Sequence, residues 1–176
     1  MHFHPLALAG AFLVEPEIKS DERGFFARTW CGREAHDHGI AESMVQCSVS
    51  FNRSKGTLRG LHFQSAPFAE GKLVRCTAGS IYDVMVDLRE GSPTFCRWEG
   101  FELSAENRLA VYIPQGVAHG FQTLVHDSEV FYQMTEYYHP EVSRGVRWND
   151  PAFGIVWPIA EPILSDRDRS YPNFKP

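Results

Sequence analysis

Almost nowhere in this chain do apolar residues recur at helical spacing; they fall instead into short runs, each closed by a turn signal. Runs of about four to eight residues of this kind read as strands. Ten stand out: Phe12–Glu15, Phe25–Trp30, Val45–Phe51, Leu58–Gln64, Leu73–Ala78, Ser80–Leu88, Phe95–Leu103, Leu109–Ile113, Gly120–Val125 and Glu129–Tyr138. Lys55-Gly56, Ala78-Gly79, Glu90-Gly91-Ser92-Pro93 and Pro114-Gln115-Gly116 punctuate them. Evenly spaced short strands predict an all-β sandwich, barrel or jelly roll. Only Arg33 to His38, closed by Gly39, offers a short helix. The stretch from Asn149 to Pro176 carries five prolines and is expected to wrap the barrel as an irregular tail.

At 176 residues, with 43% hydrophobic and 22% charged residues, the chain fits one globular domain spanning 1–176. Its net charge of −5 and lack of a basic run exclude a nucleic-acid footprint. An anionic ligand must then be held by a few placed Arg and Lys residues. The four cysteines are widely spaced and read as small buried hydrophobes in a reducing cytosol. The apolar N-terminal stretch lacks a basic flank and is broken by Pro5 and Gly10, which argues against a signal peptide. No run approaches a membrane span, and a cytoplasmic location is expected.

Polar residues inside strands carry the functional signal. Gly56-Thr-Leu-Arg-Gly-Leu-His-Phe-Gln64 sets Arg59, His62 and Gln64 in an apolar run. A bulge at Gly60 would let Arg59 and His62 face one cavity despite opposite strand parity. Tyr112-Ile-Pro-Gln-Gly-Val-Ala-His-Gly120 places His119 after a tight turn and resembles the PxGxxH pattern of cupin jelly rolls. The first cupin motif, with two histidines and a glutamate, is incomplete here, and two histidines rarely hold a catalytic metal. His36 and His38 fall in the helix, where residues two apart do not face each other. Tyr132 and Tyr138 share one strand face. In Ser80–Leu88, Asp83 and Asp87 alternate with Ile81 and Met85; that pattern suits a barrel interior or a surface strand, and for Asp87 the surface is expected.

A longer set of motifs runs in order: Asp21-Glu-Arg-Gly-Phe-Phe26, Gly71-Lys-Leu-Val-Arg75, Tyr82-Asp83-Val84, Ser92-Pro-Thr94, Leu103-Ser-Ala-Glu-Asn107, Arg144-Gly-Val-Arg-Trp-Asn-Asp-Pro151 and Leu164-Ser-Asp-Arg-Asp168. With the two segments above, they make the chain resemble the dTDP-4-dehydrorhamnose 3,5-epimerase family from about Gly10 onward. The resemblance implies a cupin-type jelly-roll barrel with short peripheral helices, without cofactor or metal, and a homodimer. It implies a His62–Asp168 base, Tyr132 as the acid on the opposite side of the sugar, and Lys72 at the C4 ketone. Arg23, Phe26, Arg28, Gln46, Arg59, His119 and Tyr138 would line a nucleotide-diphosphate sugar, Arg23 from the partner subunit.

The chemistry asks for these residue types. A C–H beside a ketone is a very weak acid, removable only if the developing enolate is stabilised where its charge appears. An ammonium does that. A histidine titrates near neutral pH, and a carboxylate behind it fixes the tautomer. Inversion then needs a donor on the far face.

Two departures from the family pattern lie around the nucleotide and sugar. Arg28 stands where a glutamate is usual, and Gln46-Cys47-Ser48 replaces Gln-Asp-Asn. The expected activity is conversion of dTDP-4-dehydro-6-deoxy-glucose to dTDP-4-dehydrorhamnose in deoxysugar or polysaccharide biosynthesis. The alternatives are a 3-only or 5-only epimerase on another nucleotide sugar, a metal-dependent cupin oxygenase or isomerase, and a non-catalytic sugar or nucleotide binder.

Overall fold

The computed structural model describes residues 1–40 and 43–175. Strands, numbered along the chain, dominate it. One sheet has the order β1 (His2–Pro5), β2 (Phe12–Glu15), β10 (Ala110–Ile113), β7 (Lys72–Ala78), β12 (Ser128–Met134), β5 (Gln46–Asn52). The other has the order β13 (Ser143–Gly145), β6 (Leu58–Gln64), β11 (Val117–Thr123), β8 (Ser80–Asp87), β9 (Trp98–Ser104). A separate hairpin pairs β3 (Ile18–Asp21) with β4 (Gly24–Ala27). Among the described residues, helices are limited to α1 (Gly32–Asp37), α2 (Asp166–Ser170) and a 3-10 turn at Pro140–Val142. All pairings within the two main sheets are antiparallel, and the result is the expected jelly roll. Among the described residues, no helix is long and apolar enough to cross a membrane.

The core sits between the sheets, where Val74, Ile81, Met85, Phe121 and Val130 are buried together. A second cluster lies outside the five-stranded sheet. There Leu61, Val84, Val86 and Ala118 are covered by Val146, Phe153, Trp157 and Phe174. The proline-rich tail, largely without regular structure, wraps over a sheet face, and it also folds α2 from Asp166 to Ser170.

Because both faces of β8 are covered, parity alone could not place its acids. Asp83 and Asp87 point to the same side as Ile81 and Met85 and are fully buried. Asp87 is thus not a surface residue. It accepts hydrogen bonds from Arg89, Ser92 and Thr94, which satisfy the buried carboxylate. The cysteine expectation needs a similar correction. Cys76 is buried, with its thiol pushed up to about 11 by burial, but Cys47 is exposed on β5.

Several runs end where the ladder ends. β4 stops at Ala27 short of Trp30, and β12 stops at Met134 short of Tyr138. β1, β3 and β13 were not evident as strands, being three or four residues long.

The bulge at Gly60 is present. His119 pairs with His62 and Phe121 with Arg59, so three residues of advance on β6 match two on β11. Gly60 has φ 118°, and a Cβ there would lie 2.7 Å from Gly120 Cα and from the His119 carbonyl. Only glycine fits that approach. The slip turns Arg59 and His62 to the same side.

Candidate active site

A cavity of about 560 Å³ opens between the sheets. His62 reaches it from β6, and Arg59 from the far side of the bulge. Lys72 enters from β7, Tyr132 and Met134 from β12, Gln46 from β5 and His119 from β11. Asp168 and Arg167 come from α2 in the tail. The five-stranded sheet therefore supplies His62, and the six-stranded sheet supplies Tyr132 and Lys72 across from it.

His62 Nε2 lies 2.6 Å from Asp168 Oδ1. Asp168 is buried, and its backbone N–H donates to Ser165 Oγ at the N-cap of α2. Burial alone would raise the Asp168 carboxyl, but the hydrogen bond and charge of His62, with help from Ser165 and the Gly60 N–H, hold it below the usual carboxylate range. The carboxylate thus stays ionised, so the ring carries its proton on Nε2 and presents Nδ1 to the cavity. Gly145 is the cross-strand neighbour of His62. Its missing side chain leaves room for the Tyr171 ring, since a Cβ there would come within 2.3 Å of Tyr171 Cζ. Tyr171 in turn receives a hydrogen bond from Arg167 Nε at 2.8 Å. Tyr171 therefore clamps α2, and with it Asp168, over His62.

Tyr132 is held strongly protonated. Burial and the nearby Asp83 charge push its phenol far above the usual range, against weaker opposing effects of Arg59 and Ser50. Such a phenol can donate a proton but will not lose one to water. Beneath it, His119 Nε2 meets Asp83 Oδ2 at 2.7 Å, a second and fully buried dyad. Burial raises the Asp83 carboxyl despite His119 and Lys72. Lys72 Nζ lies 2.8 Å from Glu70 Oε1 at the cavity wall.

The remaining contacts fix the mouth. Arg59 Nε donates to Asn52 Oδ1 at 2.7 Å. Asn52 is anchored by the Ser50 and Ser128 carbonyls. Gln46 Oε1 accepts from the Tyr138 backbone N–H at 3.0 Å, which sets Tyr138 at the rim although it lies beyond the strand.

The structure thus brings together His62, Asp168, Tyr132, Lys72, Gln46, Arg59, His119 and Tyr138. It does not bring Arg23, Phe26 or Arg28 to this cavity. Arg23 lies paired with Asp21 on the exposed β3–β4 hairpin, a two-stranded sheet of its own. Phe26 and Arg28 border a separate pocket of about 280 Å³, where Arg28 is paired with Glu34 at 2.8 Å. Sequence reasoning missed Arg167, Glu70 and Asp83 as contributors. Arg167 and Asp83 lie inside quoted motifs and Glu70 beside one, but their side-chain directions depend on the tertiary structure: the tail, the parity of β8 and the turn into β7. Among the described residues, no group of three or more His, Cys, Asp or Glu side chains could hold a metal ion, and each cavity histidine spends its Nε2 on a carboxylate.

The model of the dTDP-4-dehydrorhamnose 3,5-epimerase family matches residues 5–176. The chain belongs to that family. Among its relatives, the dTDP-4-dehydrorhamnose 3,5-epimerase of Sinorhizobium fredii is 44% identical, with 99% of this chain and 90% of the relative covered. The Pseudomonas aeruginosa enzyme is 46% identical over 96% of this chain and 93% of its own length. The Bacillus anthracis epimerase structure, solved with TDP and pyrophosphate, superposes with TM-score 0.95 at 44% identity, covering 98% of this chain and 99% of that one. The Legionella pneumophila epimerase, in complex with dTDP-4-keto-L-rhamnose, gives TM-score 0.91 at 40% identity over 97% of this chain and 90% of that one. This epimerase is therefore a nucleotide-sugar-converting enzyme on the jelly-roll fold its sequence implied.

Proposed function

We propose that this epimerase converts dTDP-4-dehydro-6-deoxy-glucose to dTDP-4-dehydrorhamnose by proton transfer beside the C4 ketone, with His62 as base and Tyr132 as acid. One observation carries this reading. A carboxylate-backed imidazole and a protonated phenol enter one cavity from opposite sheets, with an ammonium on β7, the strand next to the phenol's.

The sugar ring lies between His62 and Tyr132. Asp168 engages Nε2, so Nδ1 is the atom that takes the proton from carbon, and the buried carboxylate stabilises the imidazolium that forms. Lys72 donates to the ketone oxygen as negative charge develops there; one such placed donor typically contributes about 10²–10³-fold. Tyr132 then returns a proton from the other face, which inverts the centre. His119, held in place by Asp83, forms the floor beneath Tyr132.

Arg59 and Arg167 are the cavity's anion readers, and a guanidinium suits a diphosphate. The enzyme acts as a homodimer in this proposal. The β3–β4 hairpin, with Ile18, Phe25 and Phe26 all exposed, carries Arg23, Phe26 and Arg28 to the partner's nucleotide. Inversion at a single carbon is the second reading. It is favoured by the likeness to the 3'-monoepimerase of Streptomyces bikiniensis, at TM-score 0.88 and 38% identity over 97% of this chain and 86% of that one.

Incubation with nucleotide-linked 4-keto-6-deoxy sugars in deuterium oxide tests both. Deuterium is expected at the carbons flanking the ketone, and its distribution between C3 and C5 distinguishes double from single inversion. No uptake from any of them would end the proposal.

A further inference from the structure

Glu70 borders the same cavity and has no part in the chemistry above. Its carboxylate lies 2.8 Å from the Lys72 ammonium, and the two side chains are only 10% and 12% exposed. This is no solvated surface pair, since burying two charges is costly unless both are held in good geometry. The backbone between them is fixed. Gly71 N–H donates to Thr135 Oγ1 at 2.7 Å, and the Gly71 carbonyl accepts from Thr135 N–H at 3.0 Å. A Cβ at Gly71 would lie 2.9 Å from the Tyr112 hydroxyl, so the segment cannot accommodate a side chain there without displacing a neighbour. The cross-strand neighbour of Lys72 is Met134, an apolar cavity residue.

We propose that Glu70 determines substrate specificity by accepting a hydrogen bond from the hydroxyl on the carbon next to the ketone, while Lys72 donates to the ketone oxygen. The inference rests on the ketone-polarising role assigned to Lys72 above. An ammonium beside a carboxylate offers a donor and an acceptor side by side. An α-hydroxyketone offers an acceptor and a donor side by side, at hydrogen-bond spacing. Lysine has three N–H groups, and the one bound to Glu70 leaves others for the ketone. The ketone's other neighbouring carbon carries a methyl group in a 6-deoxy sugar, which can make no hydrogen bond and suits Met134. The pair thus decides which way round the ring lies between His62 and Tyr132. A substrate that lacks the hydroxyl would leave the second carboxylate oxygen of Glu70 without that donor, which also favours the hydroxylated sugar.

The test compares wild type, Glu70→Gln and Glu70→Ala on two substrates in deuterium oxide: the nucleotide-linked 4-keto-6-deoxy sugar and its 3-deoxy counterpart. The readout is the initial rate of deuterium uptake beside the ketone, with kcat and KM resolved. Wild type should favour the hydroxylated sugar by about 10–100-fold in kcat/KM, as expected for one charge-assisted hydrogen bond. Glu70→Ala should erase most of that preference, chiefly by losing the hydroxylated substrate. Glu70→Gln should fall between, because a neutral amide accepts more weakly; being isosteric, it keeps the test open if the alanine variant does not fold. Equal losses on both substrates would overturn the specificity role and leave Glu70 as a mere partner of Lys72. No uptake by wild type from either substrate would instead overturn the epimerase reading, and this one with it.

Discussion

Asp168 comes back across 106 residues of chain to meet His62 Nε2 at 2.6 Å. The His62–Asp168 pair is therefore assembled only when the tail docks. His62→Ala should remove turnover almost completely. Asp168→Asn should lower kcat by about 10²–10⁴-fold with KM little changed, the usual range for disabling a positioned acid–base group. Initial rates and solvent-deuterium exchange measure both. Wild-type exchange in His62→Ala would show that another group takes the proton.

Tyr132→Phe separates the two half-reactions. The phenol is buried and strongly protonated, so its loss removes the returning proton but not the base. Net inversion should fall by at least about 10²-fold, while exchange of the substrate's acidic hydrogen falls less. Equal losses in the two assays would remove Tyr132 from the acid role.

The clamp on α2 depends on a missing side chain. Gly145→Ala places a methyl group within 2.3 Å of the Tyr171 ring, and the ring must move. Asp168 moves with the helix, and a misplacement of about 1 Å can cost about 10²-fold in rate. The expected result is a lower kcat with an intact fold by circular dichroism. Full activity in Gly145→Ala would show that Tyr171 does not position the base.

Arg59 and Arg167 should act on binding. Each alanine variant is expected to raise KM by about 10–100-fold; Arg59→Ala should leave kcat within a few-fold, since phosphate contacts are made equally in ground and transition states, whereas Arg167→Ala also loses the hydrogen bond to Tyr171 on the α2 clamp and should lower kcat as well. Titration with TDP would check the assignment directly, because it carries the diphosphate without the ketone. Unchanged TDP affinity in both variants would move the diphosphate elsewhere.

Asp87 governs acid stability at the far end of the barrel. Burial raises its carboxyl, but Arg89, Ser92 and Thr94 more than offset this and hold it well below the usual range. A depressed folded value means stabilisation that is fully present above the ordinary carboxylate value and lost as pH falls through the lower folded one. Asp87→Asn should therefore cost about 3 kcal/mol at neutral pH. The gap in melting temperature from wild type should stay flat above about pH 5 and narrow below about pH 4. A gap that does not change with pH would mean the carboxylate's charge is not what stabilises this corner.

Much of the fold was legible because strands record burial with a period of two. Leu58–Gln64 and Phe12–Glu15 were read with their observed ends. The bulge was legible too, since a glycine in a strand between two polar residues of opposite parity has few other uses. The short strands β1, β3 and β13 were not, because each bears at most one large apolar side chain and so shows no alternation. β8 misled for the opposite reason. It is covered on both sides, so its acids could not be assigned to a face, and Asp87 was placed on the surface.

The sequence by itself determined the all-β class, the kink that turns Arg59 and His62 to one side, and the family to which the residues conform. Those are local or ordered properties, recorded in the spacing of neighbours along the chain. Only the tertiary structure decided that Asp168 docks on His62, that Tyr132 faces them from the other sheet, and that Glu70 joins Lys72 in the cavity wall. Such pairings join segments that are distant in the chain or depend on side-chain direction. They exist because two sheets close on each other and a tail closes over one of them.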